Sequence, residues 1–245
     1  MRSRNQPSRL KGARPEPELP LVSSGLFGES ASQAMRYICI EGPIGVGKTA
    51  LAELLAKRLD ARLVNEAVEE NPFLDKFYGD MRNYALQTQL FFLLARHKQQ
   101  RELAQPELFH DTVVCDYLFH KDRVFAHLNL TEHELALYDR IYKFVAEEIP
   151  KPSLVVYLQA RAEVLLARIR QRARQFEAAI DPQYLEELAD AYNHFFMHYD
   201  AAPVLIVNTE RLDFVANRED FEDLFRAINE TTTGRRFYSP RGKGR

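Results

Sequence analysis

No run of residues in the 245-residue chain approaches the roughly 18 consecutive apolar positions that a membrane helix needs, so no transmembrane segment is expected. Charge of one sign is also missing. The 33 Lys and Arg residues stand against 35 Asp and Glu, a net charge of −2, which removes the global basic field that would point to nucleic acid as a partner. Cysteine is scarce: Cys39 and Cys115 are the only two. Each sits inside an apolar, β-like run, so two buried thiols in a reducing compartment, the cytoplasm, are expected rather than a disulfide or metal site. No G-x-S-x-G pattern supports an esterase. The histidines are scattered, and the one ligand-like spacing, His194 and His198 on a single helix, has no acid or cysteine to complete a metal set. No internal repeat is visible.

The first 34 residues also lack the apolar core of a secretory signal and any clear period. With Pro7, Pro15, Pro17 and Pro20 they read as a disordered leader. An organellar transit peptide and a start-site extension ahead of Met35 are the alternatives. Residues 35–230 are then one domain, and 231–245, basic and with several glycines, a flexible tail.

What is present is more pointed. Gly42-Pro43-Ile44-Gly45-Val46-Gly47-Lys48-Thr49 fills the template G-x-x-x-x-G-K-[ST] directly after the apolar run Tyr37-Ile38-Cys39-Ile40. The glycines let backbone N–H groups converge on phosphate oxygens, Lys48 adds a positive charge between the β- and γ-phosphates, and Thr49 offers a hydroxyl to Mg²⁺. An amphipathic helix over residues 50–59 follows, adding its positive dipole end. Nucleotide binding is the expectation.

Apolar runs recur at 37–41, 62–66, 112–116, 154–158 and 203–207, with helical signals between them. These include Thr131 and Glu134 as a capping box and Asp181-Pro182 as N-cap and first helical position. Strands alternating with helices predict a three-layer α/β fold, a five-stranded parallel sheet flanked by helices, with ligands at the carboxyl ends of the strands. That rule directs attention to residues 42–49, to Glu66 and to Asp116.

Three further stretches address what the phosphate cradle is for. Glu66 ends the second strand, where a carboxylate can accept the proton of a hydroxyl that takes up a phosphoryl group. Gln89 and Arg96 share a helix face among Leu90, Phe91 and Phe92, a combination suited to the edge and face of a planar base. Arg168, Arg172 and Arg174 precede Glu177, and such guanidiniums can close over a transferring phosphoryl group.

Taken together, the cradle, the strand-end Glu66, Tyr78 eleven residues before Gln89, Arg96 seven residues after it, the strand-end Asp116 and the R-x-x-x-R-x-R-x-x-E run over 168–177 resemble the deoxynucleoside kinases, over about residues 35–228. The resemblance implies an ATP- and Mg²⁺-dependent kinase acting on the 5′-hydroxyl of a deoxynucleoside. It makes Glu66 the general base and gives the 3′-hydroxyl to Tyr78 and Glu177. Gln89 then binds the base, Arg96 with Asp122 lines the base pocket, and Arg168, Arg172 and Arg174 form the lid. The donor base is given to the stretch containing Glu219, Asp220 and Phe221, and Thr49 with Asp116 to the metal. Purine deoxynucleosides and deoxycytidine are implied, deoxyadenosine first, in a homodimer using helices near 87–105 and 135–148. One departure stands out. The family's acid-Arg-Ser triplet is Asp116-Tyr117-Leu118 here, so its positive charge is missing unless Arg123 or a lid arginine supplies it. A thymidylate-type monophosphate kinase, or a nucleotide-binding regulatory protein with weak turnover, are the competing readings.

Overall fold

Six short strands, each nearly continuous in apolar residues except the last, pair side by side in one direction. In chain order the elements are β1 (Arg36–Glu41), α1 (Lys48–Leu59), β2 (Arg62–Val64), α2 (Leu74–Gly79), α3 (Met81–Leu103), β3 (Thr112–Cys115), α4 (Asp122–Asn129) and α5 (Glu132–Ala146). They continue with β4 (Leu154–Gln159), α6 (Ala162–Arg172), α7 (Pro182–His198), β5 (Val204–Asn208), α8 (Arg218–Glu230) and β6 (Arg235–Tyr238). Single 3-10 turns cover Val68–Glu70 and Phe119–Lys121. The computed structural model describes residues 35–103, 110–174, 177 and 180–240. The leader expected over 1–34 lies outside them, as do residues 241–245 of the expected tail.

The sheet runs β2-β3-β1-β4-β5-β6, all parallel. All five expected strands are present. The second is shorter than its apolar run suggested, ending at Val64 so that Asn65–Ala67 turn away from the ladder. The sixth strand corrects the expectation of five and falls in the stretch expected to be tail. Its register pairs Val204 with Arg235 and Val207 with Tyr238, and the Val204 N–H reaches Gly234 O at 2.9 Å. The reason is backbone chemistry: β5 is apolar from Val204 to Val207 and its outer edge would otherwise stay unpaired. Phe237 and Tyr238 supply β-propensity that the preceding Gly234, Arg235 and Arg236 conceal.

Helices cover both faces. α1 buries Leu51, Ala52, Leu55 and Ala56 against β1, β2 and β3. Its Arg58 stacks on Phe225 of α8, 4.8 Å from the ring centroid. On the other side α7 packs on β4 through Phe196, stacked 4.2 Å from Tyr157, and α4 and α3 pack outward from it. The capping box at Thr131 and Glu134 and the Asp181 cap over Pro182 are formed as expected. Cys39 and Cys115 are buried free thiols, opposite one another on β1 and β3.

Glu41, at the end of β1, is fully buried and ties three elements at the carboxyl edge. One oxygen accepts the Gly42 N–H at 2.8 Å and the Tyr192 hydroxyl of α7 at 3.2 Å; the other accepts the Leu118 N–H at 2.7 Å. The start of the cradle, the exit of β3 and a core helix are thus fixed by one carboxylate. Glu41→Ala is expected to cost about 3 kcal/mol by stranding buried N–H donors. Glu41→Gln, which keeps an acceptor, should cost less than half of that; the denaturant midpoint reads both.

Candidate active site

The loop after β1 owes its shape to glycine. Gly42, Gly45 and Gly47 all have positive φ. A Cβ on Gly42 would stand 2.3 Å from Leu158 O, and one on Gly45 2.7 Å from Ile169 Cγ1, so backbone and α6 close in where a side chain would be. α1 starts at Lys48, and its N-terminal N–H groups point into the loop. The Lys48 ammonium donates to Gly42 O at 2.8 Å and Pro43 O at 3.2 Å.

Two hollows meet at this loop. The first, of about 430 Å³, is walled by Ile44, Gly45, Lys48, Thr49, Glu66, Tyr78, Gln89, Phe92, Arg96, Asp116, Lys121, Arg172, Arg174 and Glu177, among others. The second, of about 790 Å³, lies on the other side of the loop, between Gly45–Ala50, Arg168, Arg172, Arg174 and the segment 210–216. Gly45, Lys48, Thr49, Arg172 and Arg174 line both. The first volume is the size of a nucleoside-scale site, with polar groups placed around a partly aromatic wall.

Most of the expected site residues therefore converge. Asp116 connects the cradle to Glu66: one carboxylate oxygen accepts the Thr49 hydroxyl at 2.7 Å and the other the Glu66 backbone N–H at 2.7 Å. Glu66 itself is bracketed by cations. Its Oε1 accepts Nε of Arg96 at 2.7 Å and also Nη2, while Oε2 accepts Nζ of Lys121 at 2.7 Å. Burial pushes the Glu66 carboxyl up, but Arg96, Lys121 and Lys48 outweigh it and hold it down at about 2. For Lys48, burial pulls the ammonium down and Lys121 adds to that. Glu41, Glu66 and Asp116 oppose the shift, and the result is about 8.

One wall of the first hollow comes from one face of α3, where Gln89, Phe92 and Arg96 follow at helical spacing. Arg96 packs 4.7 Å over the Phe92 ring, and its Nη1 pairs with Asp122. Asp122 is fully buried behind Arg96 and does not itself reach the cavity surface. Tyr78 stands near Glu177. Burial, Tyr184 and Glu177 push its phenol up, keeping it a hydrogen donor.

The lid arginines divide in two. Arg168 is an anchor, donating to Val46 O at 3.2 Å, Thr209 Oγ1 at 3.0 Å and Thr209 O at 2.7 Å. Arg172 pairs with Glu177, and it stands with Arg174 where the two hollows meet. Glu219, Asp220 and Phe221 form the first turn of α8 under the Asn217 cap and line neither hollow. Phe221 is core, and Asp220 accepts the Asp213 N–H at 3.0 Å. The wall beside the second hollow is instead the preceding loop, with Arg211, Phe214 and Val215.

Tyr117 is fully buried and presents nothing to the cavity. Arg123 does not make up the charge: its guanidinium lies 5.7 Å over Tyr142 and 3.8 Å from Asp139, on the far side of α4. The second cation beside Glu66, after Arg96, is Lys121, to which sequence reasoning assigned no role. Glu41 was passed over as well, since a single acid at a strand end carries no spacing signal.

Thr49 and Asp116 present a hydroxyl and a carboxylate side by side, a donor set that fits Mg²⁺ retaining waters and shared with substrate phosphates. Among the described residues no group of three or more His, Cys, Asp or Glu could hold a metal, and His198 turns its Nδ1 to His194 O.

The deoxynucleoside kinase family model matches residues 38–233. This chain belongs to the deoxynucleoside kinases. It is 38% identical over 199 residues to deoxyguanosine kinase of Bacillus subtilis (strain 168), covering 79% of this chain and 96% of that one. It is 29% identical over 210 residues to deoxyadenosine kinase of Lactobacillus acidophilus, covering 80% and 96%. The structure of deoxyadenosine kinase from M. mycoides with bound dATP superposes with a TM-score of 0.70 at 26% identity, over 80% of this chain and all of that one. The ATP-dependent deoxynucleoside kinase and the parallel three-layer fold expected from the sequence are both borne out, with a sixth strand added to the sheet.

In this kinase Arg96 is the counter-ion of two buried carboxylates, Glu66 and Asp122. Arg96→Met should therefore lose about 3–5 kcal/mol of stability at neutral pH. The Glu66 carboxyl is depressed when folded, so its contribution is full above the ordinary glutamate range and fades as pH falls through that range toward about 2. The wild type should lose stability on acidification over that window, while the deficit of Arg96→Met narrows. Denaturant titrations at a series of pH values read both.

Proposed function

We propose that this enzyme transfers the γ-phosphoryl group of ATP, with Mg²⁺, to the 5′-hydroxyl of a purine deoxynucleoside, as a step of nucleotide salvage. The observation that carries the reading is the seam between the two hollows. Lys48, Thr49, Arg172 and Arg174 border both, and Glu66 faces them across the smaller one. A donor lying in the larger hollow and an acceptor in the smaller then meet over the cradle, and a group passing between them stays among positive charges throughout.

The roles follow from the positions. The loop N–H groups and Lys48 hold the β- and γ-phosphates; Thr49 and Asp116 would hold Mg²⁺, which supplies charge neutralisation on those phosphates. Glu66 orients the acceptor hydroxyl and takes its proton as the O–P bond forms. The proton then leaves to water, and the products are ADP, the deoxynucleoside monophosphate and a proton. Tyr78 and Glu177 hold the sugar's other hydroxyl, and Gln89, Phe92 and Arg96 flank the base. Arg172 moves from Glu177 toward the phosphates when the donor is present, while Arg168 braces the loop to Thr209.

A nucleoside suits the acceptor hollow better than a monophosphate. The cations that line this hollow and not the second, Arg96 and Lys121, are both committed to Glu66, so an acceptor phosphate would lie against that carboxylate and compete with the donor for Lys48, Arg172 and Arg174. The relatives' names place deoxyguanosine beside deoxyadenosine, which supports a purine as the base. A homodimer accounts for the apolar residues left outside on α3 and α5: Leu94, Leu137 and Phe144, the last 81% exposed. No helix among the described residues is long and apolar enough to cross a membrane. The cytoplasm is the proposed location.

With MgATP, the purified enzyme should convert deoxyguanosine or deoxyadenosine to the monophosphate, and Glu66→Gln should lower kcat by about 10²–10³ with deoxynucleoside binding retained. Absence of product from every deoxynucleoside would reject the reading, and preferential consumption of monophosphates would select the thymidylate-type alternative. Phe144→Glu should turn a dimer into a monomer by sedimentation or light scattering; an unchanged mass would remove this face from the interface.

A further inference from the structure

We propose that Lys121 is the positioning residue that aims the reactive oxygen of Glu66, and that this oxygen is Oε2. The inference rests on the reading of Glu66 as the base toward the acceptor hydroxyl and adds which atom acts and what holds it.

The argument starts from counting lone pairs. Glu66 Oε1 already accepts two N–H groups of the Arg96 fork, and that guanidinium is fixed from behind by fully buried Asp122. An oxygen holding two charged donors has no lone pair left for a substrate hydroxyl. Oε2 has one donor, Nζ of Lys121 at 2.7 Å, and so retains a site for the incoming O–H. Rotation about the last bond of the glutamate side chain swings both oxygens, so the Arg96 fork on Oε1 and Lys121 on Oε2 together fix the carboxylate plane, and Lys121 is the one contact that holds Oε2 itself. Lys121 itself is 3% exposed, fixed by the 3-10 turn whose N–H at Lys121 reaches Leu118 O at 3.0 Å, and it lines the acceptor hollow. It comes from the segment directly after Asp116-Tyr117-Leu118, so the chain supplies from a lysine the positive charge that Tyr117 lacks.

The same ammonium also sets the charge balance of the seam. Glu66 is faced by Arg96 from α3, Lys121 from the turn before α4 and Lys48 from α1, with Asp116 on its backbone and the neutral phenols of Tyr78, Tyr117 and Tyr192 around it. Lys48 is faced by Lys121, Glu41, Glu66 and Asp116. Removing the Lys121 ammonium therefore leaves Oε2 without its donor while Arg96 stays on Oε1.

The test is steady-state kinetics with MgATP and the preferred purine deoxynucleoside, on the wild type, Lys121→Met, Lys121→Arg, Glu66→Gln and the Glu66→Gln/Lys121→Met double variant. Lys121→Met should lower kcat about 30-fold with KM for the deoxynucleoside within about threefold, and Lys121→Arg should return to within about fivefold of the wild type. On the Glu66→Gln background the methionine should cost less than about threefold more, because its target is already gone. If the methionine variant does not fold, Lys121→Gln, a neutral donor, reads the same split between kcat and KM.

A kcat for Lys121→Met within about twofold of the wild type overturns the inference, as does full additivity with Glu66→Gln. Equal impairment of the methionine and arginine variants makes the residue structural and overturns it too. A wild type inactive on every deoxynucleoside fails the functional reading and takes this one with it; an active wild type indifferent to Lys121→Met sinks this one alone.

Discussion

An ionised carboxylate out of water must be surrounded by cations or it takes up a proton, and Glu66 is where this chain meets that demand. Its two oxygens receive Arg96 from α3 and Lys121 from the turn before α4, with Lys48 of α1 completing the field. Those three residues belong to elements that share no hydrogen-bonded ladder, so the carboxylate is the place where their positions are reconciled. Asp122 on the other side of Arg96 and Asp116 on the Glu66 backbone extend the same arrangement to the cradle. Hydrophobic packing of α7 on β4 and α1 on β1 builds the scaffold, but the shape of the acceptor hollow follows from these few ionic contacts.

What could be seen in the sequence and what could not separates along contact range. The cradle at 42–49 is local: eight residues after a strand specify their own backbone. The capping box at Thr131, the Asp181-Pro182 helix start and five of the strands are equally local, and all are formed. Glu66, Gln89 and Arg96 became legible only as a set whose spacing resembles a family. Lys121 had no such help, because its partner lies 55 positions away and a lysine in a turn reads as solvated. Glu41 is similar, with partners 77 and 151 positions off. β6 was hidden for a different reason. An edge strand is defined by the neighbour that lacks a partner, here β5, and four residues with two arginines carry no alternation of their own.

The arginines after β4 show how one dense charged run divides its labour. Arg168 spends its hydrogen bonds on Val46 and Thr209, which ties the cradle to the loop after β5 and so fixes the floor of the larger hollow. Arg172, one turn later at the end of α6, is half-exposed and held by Glu177, a partner that a polyanion can outcompete. The left-handed Ala173 between Arg172 and Arg174 ends the helix and splays the two. A rigid brace followed by a releasable pair is what a site needs if it must close on phosphates and still let a charged product leave.

Arg96 finally links recognition to chemistry. It forms part of the wall that would meet the base and, through the other edge of the same guanidinium, holds Oε1 of Glu66. A change in what lies against Arg96 is therefore felt at the carboxylate, with no intervening element to absorb it. Asp122 stiffens this coupling by fixing the guanidinium from behind, at the cost of a second buried charge. On the proposed reading, base preference and turnover are thus not independent in this cavity. An acceptor that displaces Arg96 slightly would lose in kcat as well as in binding, so discrimination between purines can exceed what contacts to the base edge alone provide.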